Sequence, residues 1–169
     1  MTESLNKIKK YFETGATKAY EFRKQQLQLL TATIKKYEAE ISEALYKDLG
    51  KSKIEAYASE IALVQIEIKY MLSNLKQLMQ PKSIATNLMN IPSSSKIYYD
   101  PLGVVLIIAP WNYPFQLLFT PLAGAIAGGN CVVLKPSEFT PATSAIAEKI
   151  IKEIYHEQYI QLVQGNGAE

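Results

Sequence analysis

The chain has 169 residues, 18 of them basic and 16 acidic, for a formal charge of +2. That balance marks out neither nucleic acid nor a membrane surface as a partner. One cysteine, Cys131, excludes an internal disulfide and one histidine, His156, excludes a histidine-built metal cluster, so the expected location is cytoplasmic and the expected chemistry uses an organic cofactor and no metal.

The length suits one ordinary domain. The N-terminus alternates charged and polar residues where an export signal needs an apolar core. The longest apolar run, Leu102 to Ala109, is too short to span a bilayer and meets Pro110 at once.

Residues 3–80 contain no proline and two glycines, Gly15 and Gly50, among many Lys, Glu, Gln, Ala and Leu, which is a helical composition. Leu5, Ile8, Phe12, Ala16 and Ala19 recur at helical spacing, and Leu27, Leu30, Ile34, Tyr37, Ile41 and Leu45 follow. Gly50 fits a helix stop after Leu49. A third helical stretch is predicted from Lys53 to Met79, with Ile61, Val64, Ile68, Met71, Leu72, Leu75 and Leu78 on its apolar side, and Pro81 ends it. These stripes imply packing and nothing more.

Residues 81–100 change to Pro, Ser, Asn and Lys and read as a connector with a strand-like end at Ile97 to Tyr99. Residues 101–169 then alternate strands with amphipathic segments. A strand is predicted at Val104 to Ala109, helical material from Pro114 to Ala127, a strand at Cys131 to Leu134, a helix from Thr143 to Tyr155 and a strand at Tyr159 to Val163. Pro121 predicts a kink, or two shorter helices, in the first helical segment. Gly128, Gly129 and Asn130 suit a helix stop with a tight turn into the next strand. The fold class is therefore α/β: N-terminal helices packed on the first βαβαβ part of a Rossmann-like parallel sheet. Three parallel strands leave two open edges, without the partner half that a doubly wound cofactor domain has.

In such a sheet ligands sit beyond the carboxyl ends of the strands. Three segments fall there: "PWNYP", "KPSE" and "QGNGAE". Asn112, between Pro110 and Pro114, presents an amide that suits a developing oxyanion if it is held rigidly. The same amide could instead satisfy its own turn or cap the following helix. Trp111 and Tyr113 could wall an apolar channel or pack in the core. Lys135, restricted by Pro136, could reach ribose hydroxyls or a phosphate, and Glu138 could accept from a ribose hydroxyl; an ordinary loop ion pair is the alternative for both. No GxxxxGK[ST] occurs, and Gly165-Asn166-Gly167 does not make a full GxGxxG. Cys131 opens an apolar strand and is expected to be buried and inert, and His156 is expected at the surface near a helix end.

With these motifs in place, the chain resembles the N-terminal part of the aldehyde dehydrogenase superfamily, most closely its class 3 or fatty aldehyde dehydrogenase-like branch. The likeness runs through "GATKAYEFRKQQLQLL", "ALYKDLGKSKIEAYASEI", "YYDPLGVVLIIAPWNYPFQLLFTPLAGAIAGGNCVVLKPSEFTPAT" and the strand entering "VQGNGAE". The resemblance implies NAD(P)-dependent oxidation of medium- or long-chain aliphatic or aromatic aldehydes to carboxylates through a cysteine thiohemiacetal. It assigns Asn112 to oxyanion stabilisation, Lys135 and Glu138 to the adenosine ribose of NAD or NADP, and Ile108, Ala109, Pro110 and Trp111 to the lining of the cofactor cleft. It further implies a homodimer for a complete enzyme.

The chain also departs from the family. Neither Cys131 nor Glu169 matches the catalytic cysteine or the general-base glutamate, and the tail reads Gly-Asn-Gly-Ala-Glu where relatives have a paired glycine and Glu-Thr. The expectation is an N-terminal fragment that is inactive alone. The competing expectation is a non-catalytic interaction or complementation fragment that pairs through the sheet edge at Tyr159 to Val163.

Overall fold

The computed structural model describes residues 2–165. Its first part is helical: α1 (Thr2–Glu13), α2 (Tyr20–Lys36), α3 (Glu38–Leu49) and α4 (Lys53–Ala56), which passes through a π turn, Tyr57–Ile61, into α5 (Ala62–Leu78). A hairpin of β1 (Lys82–Ile84) and β2 (Ser95–Ile97) follows, antiparallel with Lys82 opposite Ile97. Then come β3 (Val104–Ile108), α6 (Gln116–Ala127), β4 (Cys131–Lys135), α7 (Pro141–Ile154) and β5 (Ile160–Leu162). The three strands pair in parallel in the order β3-β4-β5, which is the expected βαβαβ unit. Asn166, Gly167, Ala168 and Glu169, the end of the third strand-end motif, lie outside the described residues.

Side-chain alternation divides the sheet into two faces. Ile107, Val132, Leu134 and Ile160 are buried on one of them. Two successive crossovers in the same direction place α6 and α7 on a common face, and α6 touches β3 and β4 while α7 touches β5. The other face carries Cys131, Val133 and Gln161 in register. There α1 touches β3 and β4, and Ser4 Oγ donates to Gln161 Oε1 at 2.5 Å. Leu106 and Ile108 on that same face are left largely exposed at the β3 edge.

Most of the stripe residues bury as their spacing predicts, but Leu78 is exposed, and Ala16 and Ala19 lie beyond the end of α1, Ala19 exposed. Leu27, Leu30 and Ile34 of α2, Val64, Ile68 and Leu75 of α5, and Phe119, Leu122 and Ile126 of α6 are fully buried in one cluster. Three further details depart from the sequence expectation. The stripe from Leu27 to Leu45 is shared between two helices that break at Tyr37 (φ −99°, ψ 12°). The third helical stretch contains the π turn. Pro121 lies inside one continuous helix and does not divide it into two. The proline is on the exposed side, and the carbonyl its ring deprives of a donor belongs to Leu117, itself only partly buried.

The expected stop at Gly128 to Asn130 is a Schellman motif, with Asn130 N–H on Ala125 O at 3.0 Å and Gly129 N–H on Ile126 O at 2.9 Å. Gly129 has φ +80°, and a Cβ there would lie 2.5 Å from the Arg23 guanidinium. Arg23 is buried and donates to Thr17 O and Ala127 O, each at 3.0 Å, placing a cation on the negative end of α6. Asn130 completes the corner by accepting from Gly103 N–H at 3.0 Å.

These contacts predict opposite signs at two glycines, one inside α6 and one just past its end. Gly129→Ala is strained in backbone and displaces Arg23, so it should cost roughly 2 kcal/mol and lower Tm by about 4–8 °C. At mid-helix Gly124 an added Cβ meets only Met71 Cε at 4.0 Å, so Gly124→Ala should add about 1 kcal/mol and raise Tm by about 2–4 °C. Thermal melts by circular dichroism decide both.

Candidate active site

The carboxyl ends of the three strands lie side by side. Ala109 N–H donates to Lys135 O at 3.0 Å, prolonging the β3–β4 ladder by one residue, and Val163 N–H donates to Leu134 O at 2.8 Å. Beyond β3 the chain leaves the sheet through Pro110, exposes Trp111, Asn112 and Tyr113, and returns to the core at Phe115. Phe115 is fully buried and stacked on Phe119 with ring centroids 4.3 Å apart.

The start of α6 is capped from a distant part of the chain. Glu60, in the π turn and with no exposed surface, accepts from Phe115 N–H (2.8 Å) and Gln116 N–H (3.1 Å) through Oε2. Its Oε1 receives Lys51 Nζ at 2.5 Å. The same ammonium donates to the backbone carbonyl of Asn112 at 3.0 Å and sits 4.1 Å from the centre of the Tyr113 ring. Asn112 therefore has its carbonyl tied down and is not the cap of α6. Among the described residues no hydrogen bond engages its side-chain amide, which projects from an exposed residue.

The second strand end is built in the same way. Pro141 opens α7, and Asp48 of α3 accepts from Ala142 N–H (3.1 Å) and Thr143 N–H (2.7 Å). Ser137 is buried in the loop before it, and its carbonyl accepts from Thr140 Oγ1 (3.4 Å) and Ser144 Oγ (3.0 Å). Lys135 Nζ donates to Glu138 Oε2 at 2.7 Å and to Pro136 O at 3.3 Å. The ion pair expected as one alternative is thus present, and it lies at the mouth of the strand ends.

Ile108 and Lys135 are register partners and share a sheet face. Ile108 and Trp111 are exposed at 67% and 55%, whereas Ala109 is buried and Pro110 exposed. The first residues of α6 and α7 already give N–H groups to carboxylates, so neither helix start offers those donors to a phosphate. What remains is an ammonium and a carboxylate at hydrogen-bonding distance, a pair that suits vicinal hydroxyls, with apolar surface beside it.

Cys131 is at the wrong end of the sheet. It pairs with Val104, four residues before Lys135 along β4, or about 13 Å from the strand end. It is fully buried, and burial pushes its thiol up to about 11. His156 is exposed just past α7, edge-on to Tyr11 at 4.6 Å. The sequence reading missed Lys51, Glu60, Asp48 and Arg23. A signal for Glu60 was there: it continues the stripe of Ala56 and Val64 at four-residue spacing, and a carboxylate on an apolar face needs a partner.

Iodoacetamide at pH 8 should leave Cys131 unmodified in the folded chain and modify it fully in denaturant; rapid labelling of the folded chain would contradict the burial. The raised thiol also sets a sign for stability. As pH rises past the usual thiol value of about 8.5 the unfolded chain ionises first, so this contribution is intact below that pH and is lost progressively towards about 11.

Among the described residues no helix is long and apolar enough to cross a membrane, and no group of three His, Cys, Asp or Glu could hold a metal ion. Residues 2–169 match the aldehyde dehydrogenase family model. The chain is 48% identical over 161 residues to 4,4'-diaponeurosporen-aldehyde dehydrogenase of Staphylococcus aureus, a match covering 95% of this chain and 35% of that protein. Two Arabidopsis thaliana members of aldehyde dehydrogenase family 3 are each 41% identical over 98% of this chain, covering 30% and 34% of theirs. The substrate-bound state of Staphylococcus aureus AldH superposes with a TM-score of 0.96 at 45% identity, covering 98% of this chain and 36% of that one. Betaine aldehyde dehydrogenase from Staphylococcus aureus in complex with NAD+ superposes with a TM-score of 0.84 at 28% identity, covering 98% and 33%. The chain spans about a third of the length of these relatives. With the strand order, the PWNYP and KPSE loops at the strand ends and these matches in agreement, the chain belongs to the aldehyde dehydrogenase family and is related to its class 3 branch.

Proposed function

We propose that these residues supply the oxyanion donor and one end of the cofactor cleft for NAD(P)-dependent oxidation of medium- or long-chain aliphatic or aromatic aldehydes to carboxylates. The observation that carries this reading is the Asn112 amide, unengaged among the described residues, on a loop whose backbone is tied to a buried ion pair. A donor held in advance needs no reorganisation when negative charge develops on the aldehyde oxygen, and such a donor contributes through the transition state.

Lys135 and Glu138 fit the adenosine ribose, the ammonium donating and the carboxylate accepting, and Ile108, Ala109, Pro110 and Trp111 line the cleft beside them. A bound nicotinamide dinucleotide, NAD or NADP, supplies the hydride acceptor. The 4,4'-diaponeurosporen-aldehyde in the name of the Staphylococcus aureus relative supports an aldehyde substrate. Cys131 cannot be the nucleophile that the family chemistry requires, being buried and raised towards about 11, so the 169 residues alone are inactive. A free, buried cysteine suits a cytoplasmic setting. The exposed Leu88, Met89, Ile91 and Tyr98 around the hairpin support dimer formation by the whole enzyme.

Two measurements test this reading. The purified chain, given NAD+ or NADP+ and a medium-chain aldehyde, should form no reduced cofactor; turnover would refute its inactivity. In a hybrid joining these residues to the remaining part of the Staphylococcus aureus relative, Asn112→Ala should lower kcat by roughly 100- to 1,000-fold with KM little changed. An unchanged kcat would remove Asn112 from the chemistry.

A further inference from the structure

We infer that Lys51 and Glu60 are positioning residues for Asn112: the buried Lys51–Glu60 pair clamps the 110–116 loop from behind and leaves the Asn112 amide free in front. The inference rests on the reading of Asn112 as the oxyanion donor.

A comparison within the molecule carries it. Both crossover helices borrow a carboxylate from the N-terminal helices to meet their first N–H groups. At α7 that is the whole device: Asp48 accepts from Ala142 and Thr143 and makes no salt bridge among the described residues. At α6 a cation is added, and it does more than balance Glu60. Lys51 Nζ divides its contacts among the carboxylate at 2.5 Å, the Asn112 carbonyl at 3.0 Å and the Tyr113 ring at 4.1 Å. Two of those three contacts are to the loop itself. A buried ion pair is a costly way to cap a helix when a Ser, Thr, Asp or Asn in the loop would serve, so the addition is best explained by what it holds.

The clamp is itself rigid. Gly50 stops α3 in the left-handed region at φ 68°, and Ser52 caps α4 by accepting from Glu55 N–H at 3.2 Å, so the backbone is fixed on both sides of Lys51. Glu60 points inward from the π turn, a local widening that helices often carry at functional positions. The loop end of α6 is therefore located by residues 51 to 60, while Pro110 and Pro114 restrict only its local backbone.

Trp111, the one tryptophan in the chain, reports on the loop, and the α7 cap serves as an internal control. Hydrogen exchange by NMR and Trp111 fluorescence anisotropy would be measured on the 169-residue chain. In Lys51→Met, exchange at Phe115 and Gln116 should accelerate about 10-fold or more, as expected when a charge-assisted bond is weakened, and Trp111 mobility should rise. Exchange at Ala142 and Thr143 should stay within about 2-fold, and Lys51→Arg should restore both readouts.

Unchanged exchange at Phe115 and Gln116, or equal acceleration at all four amides, would overturn the clamp. If Lys51→Met does not fold, Glu60→Gln decides the matter, because the amide oxygen still accepts from the two N–H groups while Lys51 loses its anchor. Trp111 mobility should then rise, and an unchanged anisotropy would overturn the proposal. The two readings fail separately: a loosened loop in Lys51→Met together with an active Asn112→Ala hybrid keeps the clamp and removes the oxyanion role, and the reverse pair keeps Asn112 and removes the clamp.

Discussion

The structure depends on how the free N–H groups at the start of α6 are satisfied. No side chain in the PWNYP loop caps them; Glu60 does, from 55 residues earlier in the chain. At the other end of the same helix Arg23, 104 residues before its partner Ala127, donates to the closing carbonyl. Helix α6 is thus held between an anion at its positive end and a cation at its negative end, each opposing the local macrodipole charge. Both ions are buried, so water screens them weakly. This helps to explain why a helix with a proline inside it stays in one piece.

The same arrangement joins the two layers of the molecule. Asp48 repeats the Glu60 device at α7, and Lys36–Glu153 and Lys149–Glu40 tie α2 and α3 to α7 at the surface. The exposed pairs contribute little individually. The caps on α6 by the buried Glu60 and Arg23 matter more, since losing one partner would strand an unsatisfied charge or N–H group. The N-terminal helices are therefore part of the scaffold that sets the strand-end loops, and they are more than a cover for the sheet.

For chemistry, the consequence is a division of labour along the strands. The amino ends are occupied by packing: Cys131 against the core, with Tyr11, Tyr159 and His156 in mutual ring contact nearby. The carboxyl ends hold the polar groups, Asn112 on one loop and the Lys135–Glu138 pair on the next. At the β3 edge, Leu106 and Ile108 are left exposed.

Much of this is legible in the amino-acid sequence. Periodicity of 3.6 and runs of Val and Ile identify helices and strands locally, the helical crossovers imply parallel pairing, and parallel pairing places PWNYP and KPSE together at the strand ends. Gly50 and Gly129 announce their stops because few other residues adopt their backbone angles. The sequence could not show which charge meets which backbone group, because Glu60 with Phe115, Asp48 with Ala142 and Arg23 with Ala127 are neighbours only in space. Whether Asn112 spends its amide on its own turn depends on whether another residue supplies the cap. Hydrogen-bond partners are chosen by distance and direction in three dimensions, so the tertiary structure alone assigned that cap to Glu60 and left the amide unengaged among the described residues.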